Sequence, residues 1–480
     1  MPFNSLKYFL FLPVVYLVFY FVGERARWCV LLAASLLFYA ALSVPYLLVV
    51  LVLVAITTYG FAIWLERAES AKAKQTLLWG SIATNILILA AMKYLPFLSE
   101  NLRALSTILS LDAHIQPIKA FVAIGVSYYI FQAISYLIDI YLEIEKPERH
   151  FGYFILYLAF FPKLLQGPIE RAGDLIPQLK KPYTFNYDAV RSGLLLFTWG
   201  LFKKVVIADR LALYADQVFN NVHDYTGLSL IIGIYAYALQ IYFDFSAYTD
   251  MARGTGRLFG INLTENFNSP YLATSLADFW RRWHISFSRW ILDYIFKPLQ
   301  MQWRNGKNVG TAAALIITFL VSGIWHGANW GFVVWGLLHG IYLACSVFYR
   351  PYQKRLHKYL GIEKTRFLTI WQICVTFNLV SFAWIFFRTA NIEDAMYVVS
   401  NMFYGMKGLS SKFLLSQDRP NTLTLAITLV MFAVVAMCIN RYQQTYQNNA
   451  IFRWTVYYVL VLSIVLLAVK SKSTFIYFGF

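Results

Sequence analysis

Long apolar stretches alternate with short polar ones along this chain. Uninterrupted or nearly uninterrupted apolar runs occupy about 6–22, 28–43, 45–65, 76–98, 117–141, 189–208 and 228–249. They resume at about 311–326, 331–349, 367–387, 422–440 and 453–470, with a shorter run near 151–166. A helix needs about 20 residues to cross a bilayer and a strand only about 10, so runs of this length predict helices. A helix also satisfies its own backbone hydrogen bonds, which lipid cannot do for it. The expected fold is all-α: a polytopic membrane protein of roughly 11–13 transmembrane or re-entrant helices.

No period of about 20–50 residues repeats, and no Pro, Gly or Ser-rich linker divides the chain, so residues 1–480 read as one integral domain. Its least membrane-like stretches are 169–193, "IERAGDLIPQLKKPYTFNYDAVRSG", and 244–307, from "DFSAYTDMARGTG" to "MQWRNGK". Aromatic and charged residues at irregular spacing in the second suit segments that lie at the interface or re-enter the bilayer. The first run, "MPFNSLKYFLFLPVVYLVFYFV", lacks a strongly basic start and a small-residue cleavage site and is expected to remain as a helix. Basic residues in "GERAR" (Arg25, Arg27) and "ERAESAKAK" (Arg67, Lys72, Lys74), against the nearly uncharged turn "SVP" at 43–45, put the first and third loops in the cytoplasm and the N-terminus outside.

Composition agrees: 59% hydrophobic, only 14% charged, mean hydropathy +0.55. Soluble domains carry about 25% charged residues. The net charge of +17 comes from 41 Lys and Arg against 24 Asp and Glu. These cations are scattered over many loop ends, a pattern for cytoplasmic loops and anionic headgroups that excludes a nucleic-acid stripe. Cys29, Cys345, Cys374 and Cys438 stand singly in or beside apolar runs, with no metal-ligand spacing, so neither a disulfide framework nor a metal site is expected.

Candidate chemistry concentrates in two stretches. In "DFWRRWHIS", Arg281 and Arg282 with Trp280 and Trp283 read as an interfacial belt, whereas an interfacial helix has no need of the imidazole of His284. In "SGIWHGANWGFVVWGLLHG", His326 follows a long apolar run and precedes Gly327 and Gly331, which allow a helix break. Burying an imidazole costs free energy unless it is hydrogen-bonded. His326 is therefore either a bonded structural group or a functional one, as intramembrane ionisable residues commonly are. On one continuous helix, at about 100° per residue, His339 would face nearly opposite to His326 and reads as structural. His114, His150, His223 and His357 fall in polar loops and read as solvated. Asp244 and Asp250 in "DFSAYTD" position a polar ligand or, preferably, satisfy Arg253. "GTGRLFG" is no dinucleotide fingerprint, because its third glycine is misplaced and no strand precedes it.

Taken in order, "VSYYIFQAISYLIDIY" (126–141), "FFPKLLQGPIER" (160–171), "YFDFSAYTDMARGTGRLFGI" (242–261), "DFWRRWHIS" and "GIWHGANWGFVVWGLLHG" resemble the membrane-bound O-acyltransferase family. The similar branch is the bacterial one that exports acyl groups to alginate, peptidoglycan, cellulose or teichoic acid. The resemblance implies helices ringed around a central funnel or tunnel, with two functional histidines near its middle. By motif these are His284 and His326, the latter the catalytic base. It implies vectorial transfer: a cytosolic thioester, expected to be acetyl-CoA and not a permanently bound cofactor, delivers its acyl group to a hydroxyl within the membrane. An extracytoplasmic SGNH-type transferase then passes the group to a polysaccharide, which places the chain in the bacterial inner membrane. The residue type suits this chemistry, since an imidazole with a free pKa of about 6.5 accepts a hydroxyl proton near neutrality. His284 would orient the acyl carbonyl or steady its oxyanion.

The end of the chain, "STFIYFGF" (473–480), carries Phe475, Tyr477, Phe478 and Phe480. By composition it is an aromatic membrane anchor. By the same resemblance it is an F-x-Y-F-x-F tail whose tyrosine, Tyr477, carries the acyl group between transfers. The competing class is a non-catalytic transporter or flippase, which inverted repeats or paired broken helices would favour; no such symmetry is present.

Overall fold

The computed structural model describes residues 1–110, 116, 118, 121–405, 428–430, 449–469 and 475–476. Nearly all of the apolar run at 422–440, and Tyr477, Phe478, Phe480, Cys438 and His114, lie outside them. Among the described residues the fold is all-α, with no strand.

The first half contains α1 (Leu6–Phe21), α2 (Arg27–Ala40), α3 (Tyr46–Arg67), α4 (Ala71–Lys93), α5 (Leu95–Ile108), α6 (Val126–Tyr141), α7 (Phe151–Ala159), α8 (Ala172–Lys180), α9 (Tyr187–Phe202) and α10 (Asp209–Phe219). The second contains α11 (Leu228–Leu258), α12 (Leu276–Arg282), α13 (Ile285–Ile291), α14 (Lys297–Gln302), α15 (Lys307–His326), α16 (Trp330–Tyr359), α17 (Arg366–Arg388), α18 (Ile392–Asn401) and α19 (Ala450–Leu467). Side chains of Ser5, Ser70, Asn186, Thr365, Asn391 and Asn449 accept from first-turn N–H groups and start their helices.

Seven of these helices are long and apolar enough to cross a membrane: α3, α4, α11, α15 with the turn before it, α16, α17 and α19. Several other apolar runs form shorter helices. The run at 117–141 becomes helical only at Val126, after Gly125 in a left-handed conformation (φ 80°). The run at 189–208 leaves α-helical geometry at Lys203 for a π-helical turn. α3, α4 and α19 keep apolar side chains such as Val49, Leu87 and Val465 on their outer faces, as contact with lipid requires. α6 and most of α11 are buried at the centre.

The polar stretch at 244–307 does two things. Residues 244–258 are the second half of the 31-residue α11 and are mostly buried within the protein. Their charges are tolerated because they pair internally: Lys203 with Asp250 at 2.8 Å, and Lys204 with Asp244 at 2.6 Å and Asp209 at 2.9 Å. Residues 276–302 instead break into the short helices α12, α13 and α14.

α15 and α16 form an antiparallel hairpin that determines where His326 and His339 stand. A side chain at Gly336 would collide with the Phe319 carbonyl, and one at Gly323 with that of Phe332, so two backbones touch where only glycine fits.

Candidate active site

His326 is the last residue of α15. Gly327 continues in extended conformation, and the Asn329 side chain caps α16 by accepting from Gly331 N at 2.7 Å, so the two helices break between the histidines. A helix end leaves carbonyls without intrahelical partners. Here the end of α4 supplies them: Lys93 Nζ donates to the carbonyls of Trp325 and His326, both at 2.8 Å, and the Tyr94 hydroxyl donates to that of Ile324 at 2.6 Å. The His326 ring is 5% exposed, with ring centroids of Trp325, Trp335 and Phe387 at 4.5, 4.9 and 4.9 Å.

His284 joins α12 to α13 in a left-handed conformation (φ 42°) and is 1% exposed. Its corner is braced by Asn266, whose carbonyl accepts from Ile285 N at 3.0 Å and whose Oδ1 accepts from Ser286 N at 3.0 Å. Ser286 Oγ in turn accepts from Ile169 N at 3.0 Å, which ties the start of the 169–193 stretch to the same corner. Among the described residues neither ring nitrogen of His284 has a hydrogen-bond partner. Most buried polar groups are bonded, so an unbonded imidazole held in an uncommon backbone conformation is what a ligand-facing group looks like. The folding expected from the sequence does bring His284 and His326 together, on either side of Trp325: its ring lies 6.3 Å from that of His284 and 4.5 Å from that of His326.

His339, fully buried on α16, accepts a hydrogen bond at Nδ1 from Trp280 Nε1 at 3.3 Å. That bond ties α12 to α16, a structural task. It also corrects the interfacial reading of the tryptophans: Trp280 and Trp283 are 6% and 1% exposed, and Trp283 packs on Phe267, Phe279 and Trp384. Arg281 and Arg282 pair with Asp278. Of the remaining histidines, His223 is exposed and meets Asp394 at 3.1 Å, His150 caps α7, and His357 lies on α16 and not in a loop.

A small cavity of about 20 Å³ adjoins His326, lined also by Lys93, Ala123, Gly125, Ser127, Tyr128, Leu165 and Trp325. A larger one of about 660 Å³ is walled by apolar Leu315, Phe319 and Leu343 and by polar Thr264, Glu265, Asn268, Arg281 and Arg289. It reaches Trp280 and Phe319, whose rings both neighbour that of His339. Among the described residues no group of three or more His, Cys, Asp or Glu could hold a metal ion.

Asp244 accepts from Lys204 and, through Oδ2, from the backbone N–H of Ile476 at 2.9 Å. Phe475 is 1% exposed, its ring 5.2 Å from that of Tyr248 and 4.6 Å from the Lys204 ammonium. The aromatic end of the chain thus enters the protein interior at these two residues instead of facing lipid, while Tyr477 lies outside the described residues. The sequence reading missed Lys93, Lys204 and the buried Lys163, whose ammonium donates to Gln132 Oε1 at 2.5 Å. A lysine at the end of an apolar run looks like a loop charge, and its partners here are carbonyls and residues far away in sequence.

Residues 143–387 match the model of the membrane-bound O-acyltransferase family. The chain is 33% identical to "Peptidoglycan O-acetyltransferase" of Helicobacter pylori, over 98% of this chain and 96% of that protein. It is 34% identical to "Probable alginate O-acetylase AlgI" of Pseudomonas aeruginosa, over 91% and 82%. With "Teichoic acid D-alanyltransferase" of Bacillus subtilis the identity is 28%, over 64% and 76%.

Proposed function

This chain belongs to the membrane-bound O-acyltransferase family, and from that premise we propose that it moves an acetyl group from a cytosolic thioester to a hydroxyl within the membrane, for O-acetylation of an extracytoplasmic polysaccharide. The proposed donor is acetyl-CoA and the proposed location the bacterial inner membrane. Acetyl is preferred over D-alanyl because relatives named for acetylation match at higher identity over more of the chain.

The observation that carries this reading is the buried His326 imidazole at a helix end, beside a cavity and close to an indole that also neighbours the imidazole of His284. His326 accepts the hydroxyl proton as the oxygen attacks the thioester carbonyl. His284 donates a hydrogen bond to that carbonyl oxygen as charge develops on it. The C–S bond then breaks, the thiolate takes the proton from His326, and an ester and a free thiol result. Helix direction supports a transfer across the bilayer. The ends of α3, α11 and α16 carry Arg67, Arg257 and Lys358, a cytoplasmic signature, and α4 runs from that side to cap His326 with Lys93. The large cavity, bordered by Arg281 and Arg289, suits entry of an anionic donor whose thioester arm follows the apolar wall.

Tyr477 is proposed as the intermediate acyl carrier, since a phenolate leaves more readily than an alkoxide in the next transfer. An SGNH-type partner outside the membrane is proposed to take the group onward. The test of the whole reading is His326→Ala: polymer O-acetylation in cells is expected to vanish at normal membrane abundance. Undiminished acetylation would remove the enzyme assignment of this site.

A further inference from the structure

Two side chains beside His326 have no task in the mechanism above. Tyr128 is the third residue of α6 and Trp325 precedes His326 on α15; each is 6% exposed. Both line the cavity of about 20 Å³ that His326 also lines, which has room for about one water-sized group. Among the described residues the Tyr128 hydroxyl and the Trp325 indole N–H have no hydrogen-bond partner. Their rings lie 5.9 Å apart, and the Tyr128 ring is stacked 6.4 Å from that of His284.

An unpartnered buried donor costs free energy that a phenylalanine in the same place would not. Two residues with such donors lining one cavity next to an imidazole point to a polar atom that is bound there only during the reaction. The Lys93 ammonium, held by the carbonyls of Trp325 and His326, lines the same cavity and adds positive charge. The polar residues of the cavity therefore favour a group on which negative charge appears.

We propose that Tyr128 and Trp325 donate hydrogen bonds to the acyl oxygen under attack at His326, completing the site that holds the tetrahedral oxyanion. This rests on the acyl-transfer reading of His326. In the ground state the carbonyl oxygen accepts weakly. As the hydroxyl oxygen bonds to carbon and the C=O electrons move onto oxygen, both donors bind it more tightly, and they release it when the C–S bond breaks.

The test uses membrane vesicles containing the full chain and labelled acetyl-CoA, scoring label transferred to envelope polymer. Tyr128→Phe is expected to lower the rate at saturating donor about a hundredfold, the usual scale for one oxyanion donor, with KM little changed. The thermal midpoint of the solubilised protein is expected to stay level or rise, because an unpaired hydroxyl has been removed. A structural role would move the two readouts together and downward. Wild-type transfer in Tyr128→Phe, or a loss no larger than the fall in folded protein, would overturn the inference. Should Tyr128→Phe fail to accumulate, Trp325→Phe decides by the same criteria. An active His326→Ala would overturn the acyl-transfer reading itself. An inactive His326→Ala beside a fully active Tyr128→Phe would overturn this inference alone.

Discussion

The ammonium of Lys93 sits 2.8 Å from the carbonyl oxygen of His326, so the last residue of one membrane helix closes the end of another at the proposed base. Lys93→Met keeps the aliphatic stem but leaves the carbonyls of Trp325 and His326 unpaired in a buried site. The expected cost is about 1–3 kcal/mol of stability. Transfer should fall further than folded protein does, since the ring orientation depends on the same cap. Thermal midpoint and per-molecule acetylation, measured on one preparation, check this.

Among the described residues neither ring nitrogen of His284 has a hydrogen-bond partner, so removing the ring should harm the reaction more than the fold. His284→Ala is expected to cut transfer about a hundredfold at near-normal abundance. His284→Asn tolerates the left-handed backbone and restores an N–H donor but no base. Partial recovery in Asn would identify the donor function; equal loss in both variants would argue that the imidazole's basicity matters instead.

His339 should behave in the opposite way. His339→Phe leaves the Trp280 indole N–H unpaired, at about 1–3 kcal/mol, while each molecule that folds transfers near the wild-type rate. Abolished transfer in stably folded His339→Phe would make this ring part of the chemistry.

The Asp244–Lys204 pair, with both side chains 2% exposed, is expected to be costly to break from one side. Asp244→Ala should destabilise by about 1–3 kcal/mol, because the buried Lys204 ammonium keeps only Asp209 of its two carboxylates and the Ile476 N–H loses its acceptor. Double replacement by Asp244→Leu and Lys204→Met should cost more than the single change, because it also takes the Lys204 ammonium from the buried Asp209. Thermal unfolding of the two variants decides it, and a double variant more stable than Asp244→Ala would refute the account.

Tyr477→Phe deletes one hydroxyl and keeps the aromatic ring. If Tyr477 carries the acyl group, acetylation of the polymer stops while the protein still accumulates. Retained acetylation would leave the tail with a docking task only, through Phe475 and Ile476.

Much of this was legible in the sequence because lipid imposes a simple rule: apolar runs of sufficient length become helices, and seven of them do so at membrane-spanning length. His326 stood out for the same reason, as a polar group in apolar surroundings, and His284 because an interfacial segment has no need of an imidazole. What the pattern could not show was pairing. Asp244 and Asp250 made the second half of α11 look interfacial, yet their counter-ions, Lys203 and Lys204, arrive from a turn some forty positions earlier. Trp280 and Trp283 looked like headgroup residues because a tryptophan beside arginines carries the same local signature whether its ring meets lipid or Phe279 and Trp384. Lys93 was invisible for another reason: its partners are main-chain carbonyls, which every residue has.

The glycine contact between α15 and α16 bears on how substrates get in. Main chains that touch at Gly323 and Gly336 leave no slack for sliding or parting, so the rings of His326 and His339 travel as one rigid block. Any breathing that admits a molecule to His326 must then come from the opposite wall, where α4 gives way to α5 and the chain turns at Gly125 into α6. Entry is then a matter of that wall yielding toward His326, whose place is set by the α15–α16 contact.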